Sequence, residues 1–149
     1  MQHTTVKIDD KAMITDERSI TMRINYLSQD RPELQFAAKE VLRHMQRPTN
    51  VSREMNKLIV RFVLKHPRSN QRFRQQGPQT HVVVKIDSDD AGCVYTRRST
   101  SGTILRHGCH ALKTSTTTQI PIAMSSGESE FYGLVKATSL GIGAVNMCK

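Results

Sequence analysis

The sequence predicts a mixed α/β chain of the α+β kind, with two amphipathic helices followed by an antiparallel three-stranded meander and a further helix. Three observations predict this class. Apolar residues recur at helical spacing between positions 31 and 65, β-branched residues dominate three short runs between 81 and 118, and helical spacing returns after 125. A chain of 149 residues can form one ordinary domain, or one small domain with a helical extension, but not two large domains.

The composition is basic, with 22 Lys and Arg against 13 Asp and Glu and a net charge of +9. This balance favours a polyanionic partner, nucleic acid above all. The three cysteines, Cys93, Cys109 and Cys148, follow no disulfide framework, and the first thirty residues do not resemble a signal peptide. No apolar stretch approaches the ~20 residues of a membrane span. We expect an intracellular protein, cytoplasmic or nuclear, without a membrane partner.

The first half of the chain divides into an arm and a helical segment. Residues 1–25 show no sustained period and predict a poorly ordered arm, with at most a short strand at 20–24. Residues 26–66 predict two helices. The first follows a cap at Asp30 and ends before Pro48, and the second is capped by Thr49 or Asn50.

The second helix carries a basic row at positions i, i+4, i+8 and i+12, formed by Arg53, Lys57, Arg61 and Lys65. One interpretation is a ladder of cations that binds nucleic-acid phosphates. The other is the solvated face of a basic protein, which the lack of interleaved aromatic residues favours. Residues 67–79 are polar, contain Gly77 and Pro78, and predict a linker before a second domain at 80–149.

The second domain begins with a buried strand at 81–86 that ends in Asp87, Asp89 and Asp90. Three crowded carboxylates indicate either a turn or a cation site. Two further strands, at 99–106 and 111–118, are joined by a turn at 107–109. The final helix has Glu128 and Glu130 near its start, and its apolar face is marked by Phe131, Leu134, Val135 and Thr138.

Cys93, His107, Cys109 and His110 are all residue types that bind zinc. Neighbouring residues of a strand point to opposite faces, however, so the spacing opposes a shared metal site. We expect reduced, buried cysteines and exposed histidines instead.

Three motifs follow one another between Asp87 and Val135: DSDDAGC, TRRSTSG and SSGESEF. They resemble the DSDWAGC, TRRSTSG and SSTEAEY motifs of the ribonuclease H domain in copia-type LTR retrotransposon Pol polyproteins. Upstream, the stretch from Tyr26 to Val63 is similar to the connection segment that these polyproteins place between their reverse transcriptase and ribonuclease H. The two segments together bracket about three quarters of the chain.

The resemblance implies a truncated ribonuclease H-like fold and a nuclease that cleaves the RNA strand of RNA/DNA hybrids with two Mg ions. Of the family's catalytic, metal-binding acids it carries over Asp87, at the end of the first strand, and Glu130, which precedes the aromatic residue of the helix. Asp89 and Glu128 are weaker candidates. In such chemistry one ion activates water and the other stabilises the leaving oxygen.

Two departures from the family weaken the enzyme hypothesis. Asp90 stands where the family carries Trp, which adds a charge beside the proposed ligand. The family's later acids have no counterpart before Lys149, so we expect at most one weakly bound Mg ion. Two hypotheses follow: a copia-type Pol fragment with a catalytically inactive ribonuclease H remnant, or a domesticated module that binds nucleic acid without sequence preference and without catalysis.

Overall fold

The computed structural model describes residues 6–147. Within these residues, seven α-helices and β-strands, in the order α1–α2–α3–β1–β2–β3–α4, divide between two compact units whose boundary lies between Asn70 and Gln71. The predicted α+β class, with an antiparallel three-stranded sheet followed by a helix, is confirmed. The unit boundary falls inside the predicted linker at 67–79.

The first unit contains three helices: α1 (Lys11–Ser28), α2 (Gln35–Leu42), which follows a 3-10 turn at Pro32–Leu34, and α3 (Asn50–Lys65). Thr49 caps α3 as predicted, because its side chain accepts a hydrogen bond from the backbone N–H of Ser52. Asp30 does not cap the helical segment as we expected. Arg31 is the N-cap of the 3-10 turn instead, and its side chain makes no capping hydrogen bond. The apolar core is formed by Ile24, Leu34, Ala38, Val41 and Ile59.

The prediction of a poorly ordered arm at 1–25 was wrong for residues 11–25, which are helical, as was that of a strand at 20–24. Residues 1–5 lie outside the described part. Helix α1 begins at Lys11, and the side chain of Asp10 caps it by accepting a hydrogen bond from the N–H of Ala12 at 3.0 Å. Polar residues occupy inward-facing positions of α1, so its sequence lacks the regular apolar spacing that predicts an amphipathic helix. Glu17 and Thr21 are buried there because Asn56 of α3 hydrogen bonds to both, at 2.8 and 3.1 Å.

The second unit contains β1 (Val82–Ser88), β2 (Thr100–His107), β3 (His110–Thr118) and α4 (Ser126–Met147). The strands pair in the order β1-β2-β3 and both pairs are antiparallel. The predicted hairpin turn between β2 and β3 is confirmed, and Gly108 adopts a φ of +58° that suits glycine. Part of the predicted linker belongs to this unit, because Gln71 donates a hydrogen bond to the carbonyl of Ala111 at 2.6 Å.

The face of α4 that packs on the sheet differs from the predicted one. Phe131, Leu134 and Val135 are more than half exposed, whereas the small residues Ser129, Gly133 and Ala137 are buried. A Cβ at Gly133 would approach Ile86 Cδ1 to 2.8 Å and Ser88 Oγ to 2.7 Å. The large side chains of β1 therefore require small residues on α4, so the buried stripe is not the most apolar one.

Candidate functional site

Asp87 lies one residue before the end of β1 and is exposed. Side chains alternate along the strand. Val84, Ile86 and Ser88 lie on the face that α4 covers, since their side chains approach the glycines of that helix. Asp87 therefore points away from α4, on the same face as Lys85.

Glu130 belongs to the second turn of α4 and is exposed, directly after the buried Ser129. The two acids that the family motifs single out thus lie on different sides of β1. Within residues 6–147, no group of three or more His, Cys, Asp or Glu side chains is arranged to hold a metal ion. The convergence of Asp87 and Glu130 on one cation stays a prediction.

Asp89 organises the turn that follows β1. Its backbone N–H donates to the carbonyl of Thr100 at 3.0 Å, and its carboxylate accepts a hydrogen bond from the backbone N–H of the same residue. Gly92 lies against this carboxylate so closely that a Cβ would overlap it. These contacts fit the turn interpretation for Asp89.

Glu128 acts at the start of α4. Its carboxylate accepts hydrogen bonds from the backbone N–H of Met124 at 2.7 Å and from the hydroxyl of Tyr132 at 2.8 Å. Both donors favour the charged form and hold the pKa of Glu128 below its usual value. The N–H of Glu128 in turn donates to Ser125 Oγ at 3.2 Å. Glu128 therefore stabilises the helix start, as its place in the first turn suggests.

A buried polar cluster connects the sheet to α4, and the sequence reasoning missed it. The side-chain amide of Gln119 donates to Ser101 Oγ at 2.8 Å, to Ser88 Oγ at 3.3 Å and to the carbonyl of Ser129 at 2.7 Å. Its Oε1 is buried without a partner among the described residues. The only signal in the sequence is the polar character of the strands, which opposes an apolar core on this side of the sheet.

The basic row on α3 is only partly available to a ligand. Arg53 forms an ion pair with the buried Glu17 at 3.3 Å, and Lys57 pairs with Glu54 at 2.6 Å. Arg61 and Lys65 are exposed. Arg53 is therefore held by a buried partner, whereas Lys57 is exposed beside Glu54, and Arg61 and Lys65 face solvent without a salt bridge among the described residues.

The sulfur and imidazole groups do not gather into a metal centre in the part of the chain described here. Cys109 Sγ lies 3.8 Å from His110 Nδ1, and His107 pairs with His110 across the hairpin. Cys93 is buried as expected, but Cys109 is exposed and both histidines are partly buried, so the expectation of buried cysteines and exposed histidines was wrong at this hairpin. Cys148 lies outside the described residues.

None of the helices described at positions 6–147 is both long and apolar enough to cross a membrane.

The chain is similar to three proteins of Arabidopsis thaliana. It is 32% identical over 131 residues to the uncharacterized mitochondrial protein AtMg00810, and the aligned residues make up 88% of this chain and 53% of that protein. It is 27% identical to the retrovirus-related Pol polyproteins from transposons RE2 and RE1, over 92% and 84% of this chain but only 9% and 8% of theirs. The chain therefore spans about half or less of each relative. No family model and no solved structure matches it.

Proposed function

We propose, from the homology of this chain to retrovirus-related Pol polyproteins of transposons, that its sheet unit derives from a ribonuclease H of the copia type and does not cleave RNA/DNA hybrids by itself. The similarity to retrovirus-related Pol polyproteins supports the Pol part of the resemblance that the sequence indicated. The nuclease ancestry and the lack of cleavage are the new parts of the proposal.

One observation carries the ancestry: the motifs and the elements occur in the same order. An antiparallel meander leads into a helix, Asp87 lies near the end of the first strand, and Glu130 lies near the start of the helix. This order supports a ribonuclease H-like unit, although fold order alone does not imply activity.

The arrangement of the acids supports the lack of cleavage. Magnesium would supply an activated water and stabilise the leaving oxygen. Two such ions repel each other and require several carboxylates between and around them. Asp87 and Glu130 lie on different sides of β1, while Asp89 and Glu128 are engaged in local hydrogen bonds. This donor set does not fit a pair of Mg ions.

The first test incubates the full chain with a labelled RNA/DNA hybrid in Mg²⁺ or Mn²⁺. We expect no cleavage above a buffer control. The matched variant Asp87→Asn/Glu130→Gln separates cleavage by the chain from cleavage by a contaminating nuclease, because cleavage by a contaminant would persist in the variant preparation. Cleavage by the natural chain that disappears in this variant would overturn the proposal.

Nucleic-acid binding is the second candidate function, and the exposure of Arg61 and Lys65 favours it. Two cations without base-reading neighbours predict weak binding that is indifferent to sequence. Two phosphate contacts give a slope of about −2 in the logarithm of the binding constant against the logarithm of salt concentration.

A salt series on a short duplex tests this binding. Each of Arg61→Ala and Lys65→Ala should reduce the steepness of the slope by about one. Arg23→Ala, which removes an exposed cation from α1, serves as the matched control. A flat salt response, or a strong preference for one duplex sequence, would contradict this candidate.

A further inference from the structure

Strand β1 forms an open edge of the sheet: within residues 6–147 no strand pairs with its outer side. Its pairing with β2 is antiparallel, and the hydrogen bond from Asp89 N–H to Thr100 O continues the register beyond the strand. Alternate residues of an antiparallel strand direct their backbone groups to the same neighbour. Lys85 and Asp87 therefore bond towards β2, whereas Val84, Ile86 and Ser88 present N–H and C=O groups to the open edge.

The side chains of this edge are both apolar and charged. Val82, Val83, Val84 and Ile86 make it a strong β-forming segment, which is a template for another strand. Lys85 and Asp87 carry opposite charges on the exposed face, and the structure gives neither of them an ion pair within the described residues. An open apolar edge with two unpaired charges of opposite sign is suited to a complementary strand.

We propose that β1 pairs antiparallel with β1 of a second copy of this chain, about a two-fold axis at Ile86, and joins two three-stranded sheets into one of six strands. This assembly is a property of the sheet unit and does not depend on the proposed function. A two-fold axis makes the interface self-complementary, so each favourable contact occurs twice.

Several registers pair the backbone groups at the open edges of the two β1 strands. The charges of Lys85 and Asp87 favour one of these registers. Pairing centred on Lys85 sets two lysines opposite each other, and pairing centred on Asp87 sets two aspartates opposite each other, which is unfavourable. Pairing centred on Val84 leaves the Lys85 and Asp87 charges uncompensated. Pairing centred on Ile86 places Lys85 of each copy opposite Asp87 of the other, in the closer, non-hydrogen-bonded type of pair.

The exposed flank of α4 supports the same assembly. Lys136 reaches from α4 to Thr117 on β3, so the flank that carries Lys136 lies on the β3 side. Helical periodicity places Leu134 and Val145 on the opposite flank, beside the open edge of β1. They are 53% and 42% exposed. Because the two-fold axis of such a strand pair is normal to the sheet, both copies of α4 lie on one face and bring these residues towards each other.

Sedimentation of the full chain over a concentration series tests the proposal. We expect the 16.8 kDa species to give way to one of twice that mass as concentration rises. Lys85→Asp and Asp87→Lys each replace two attractive cross-strand pairs by two repulsive ones, which should raise the dimer dissociation constant about tenfold. The charge swap Lys85→Asp/Asp87→Lys restores both pairs and should return the constant to within about threefold of the natural value.

Lys113→Asp is the matched control, because Lys113 is an exposed lysine on β3, away from the edge of β1. It should leave the dissociation constant unchanged, and circular dichroism should show that all variants are folded. A chain that stays monomeric at every concentration would overturn the proposal. So would a dimer that ignores both single substitutions, or one that the charge swap does not restore.

Discussion

The two units differ in what fills their interiors. In the helical unit an apolar cluster of Ile24, Leu34, Ala38, Val41 and Ile59 lies between the helices. In the sheet unit, by contrast, the most deeply buried side chains are serines, and Ser99, Ser101 and Ser129 are at most 2% exposed. One unit is stabilised mainly by removal of apolar surface from water, and the other depends on hydrogen bonds inside it.

Apolar patterning of the sequence therefore identifies the interior of the helical unit but not that of the sheet unit. The large apolar residues of α4 remain outside, and Phe131 is 61% exposed, while Gln119 is inside and bonded to three partners. Hydrogen bonds are directional, and a buried polar group without a partner is costly. A substitution that removes a hydrogen-bonding group should therefore destabilise the sheet unit even where it keeps the side-chain volume.

The largest expected effect is that of Leu34→Ala in the helical unit. Leu34 is 2% exposed, so its truncation should lower the free energy of unfolding by about 2–5 kcal/mol. Hydrogen exchange of the helical unit, followed against denaturant, measures the loss. Leu58→Ala is the matched control because Leu58 is 61% exposed, and an equal loss there would contradict an apolar interior around Leu34.

A smaller effect is expected for Gln119→Leu in the sheet unit. The substitution keeps the volume but leaves buried partners of the amide without their donor, which costs about 1–3 kcal/mol. Gln75→Leu, at an exposed position, is the control. If Gln119→Leu instead stabilised the sheet unit in a denaturant titration, hydrogen bonds would not be the interactions that stabilise its interior.

The smallest effect concerns pH and Glu128. Its pKa in the folded chain is lowered by the N–H of Met124 and the hydroxyl of Tyr132, so its stabilising contribution is present above the unfolded value of 4.5 and is lost as pH falls through the folded value. Thermal melts of Glu128→Gln should therefore lie slightly below those of the natural chain at pH 7 and coincide with them at strongly acidic pH. Glu130→Gln is the control, and a gap for Glu128→Gln that persists in acid would contradict this origin.

The sequence predicted most elements for reasons that are local. The Thr49 cap and the turn at Gly108 depend on a few neighbouring residues, and the β-branched runs identify the strands. Helix α1 could not be predicted in this way, because Glu17 and Thr21 are inside only through their bonds to Asn56, 39 and 35 residues away. The inward face of α4 depends likewise on the bulk of β1.

The order of the candidate site residues along the chain was predictable from the sequence, but the direction in which their side chains point was not. The motifs place Asp87 on a strand and Glu130 on the helix that follows the sheet, and the structure has both there. Which side of β1 an acid occupies depends on the parity of the strand, which is decided by the packing of Val84 and Ile86 under α4. The parity of β1 therefore decides whether Asp87 faces the helix that carries Glu130 or the opposite side of the sheet.

We propose that Asp87 and Glu130 do not act as one metal site. Mn²⁺ binding to the natural chain, to Asp87→Asn, to Glu130→Gln and to the double variant, measured by the electron paramagnetic resonance of free Mn²⁺, tests it most directly. We expect Glu130→Gln to leave the Mn²⁺ affinity within about twofold of its starting value, with or without Asp87→Asn, because separate sites are additive. A tight site that either single substitution abolishes would contradict it.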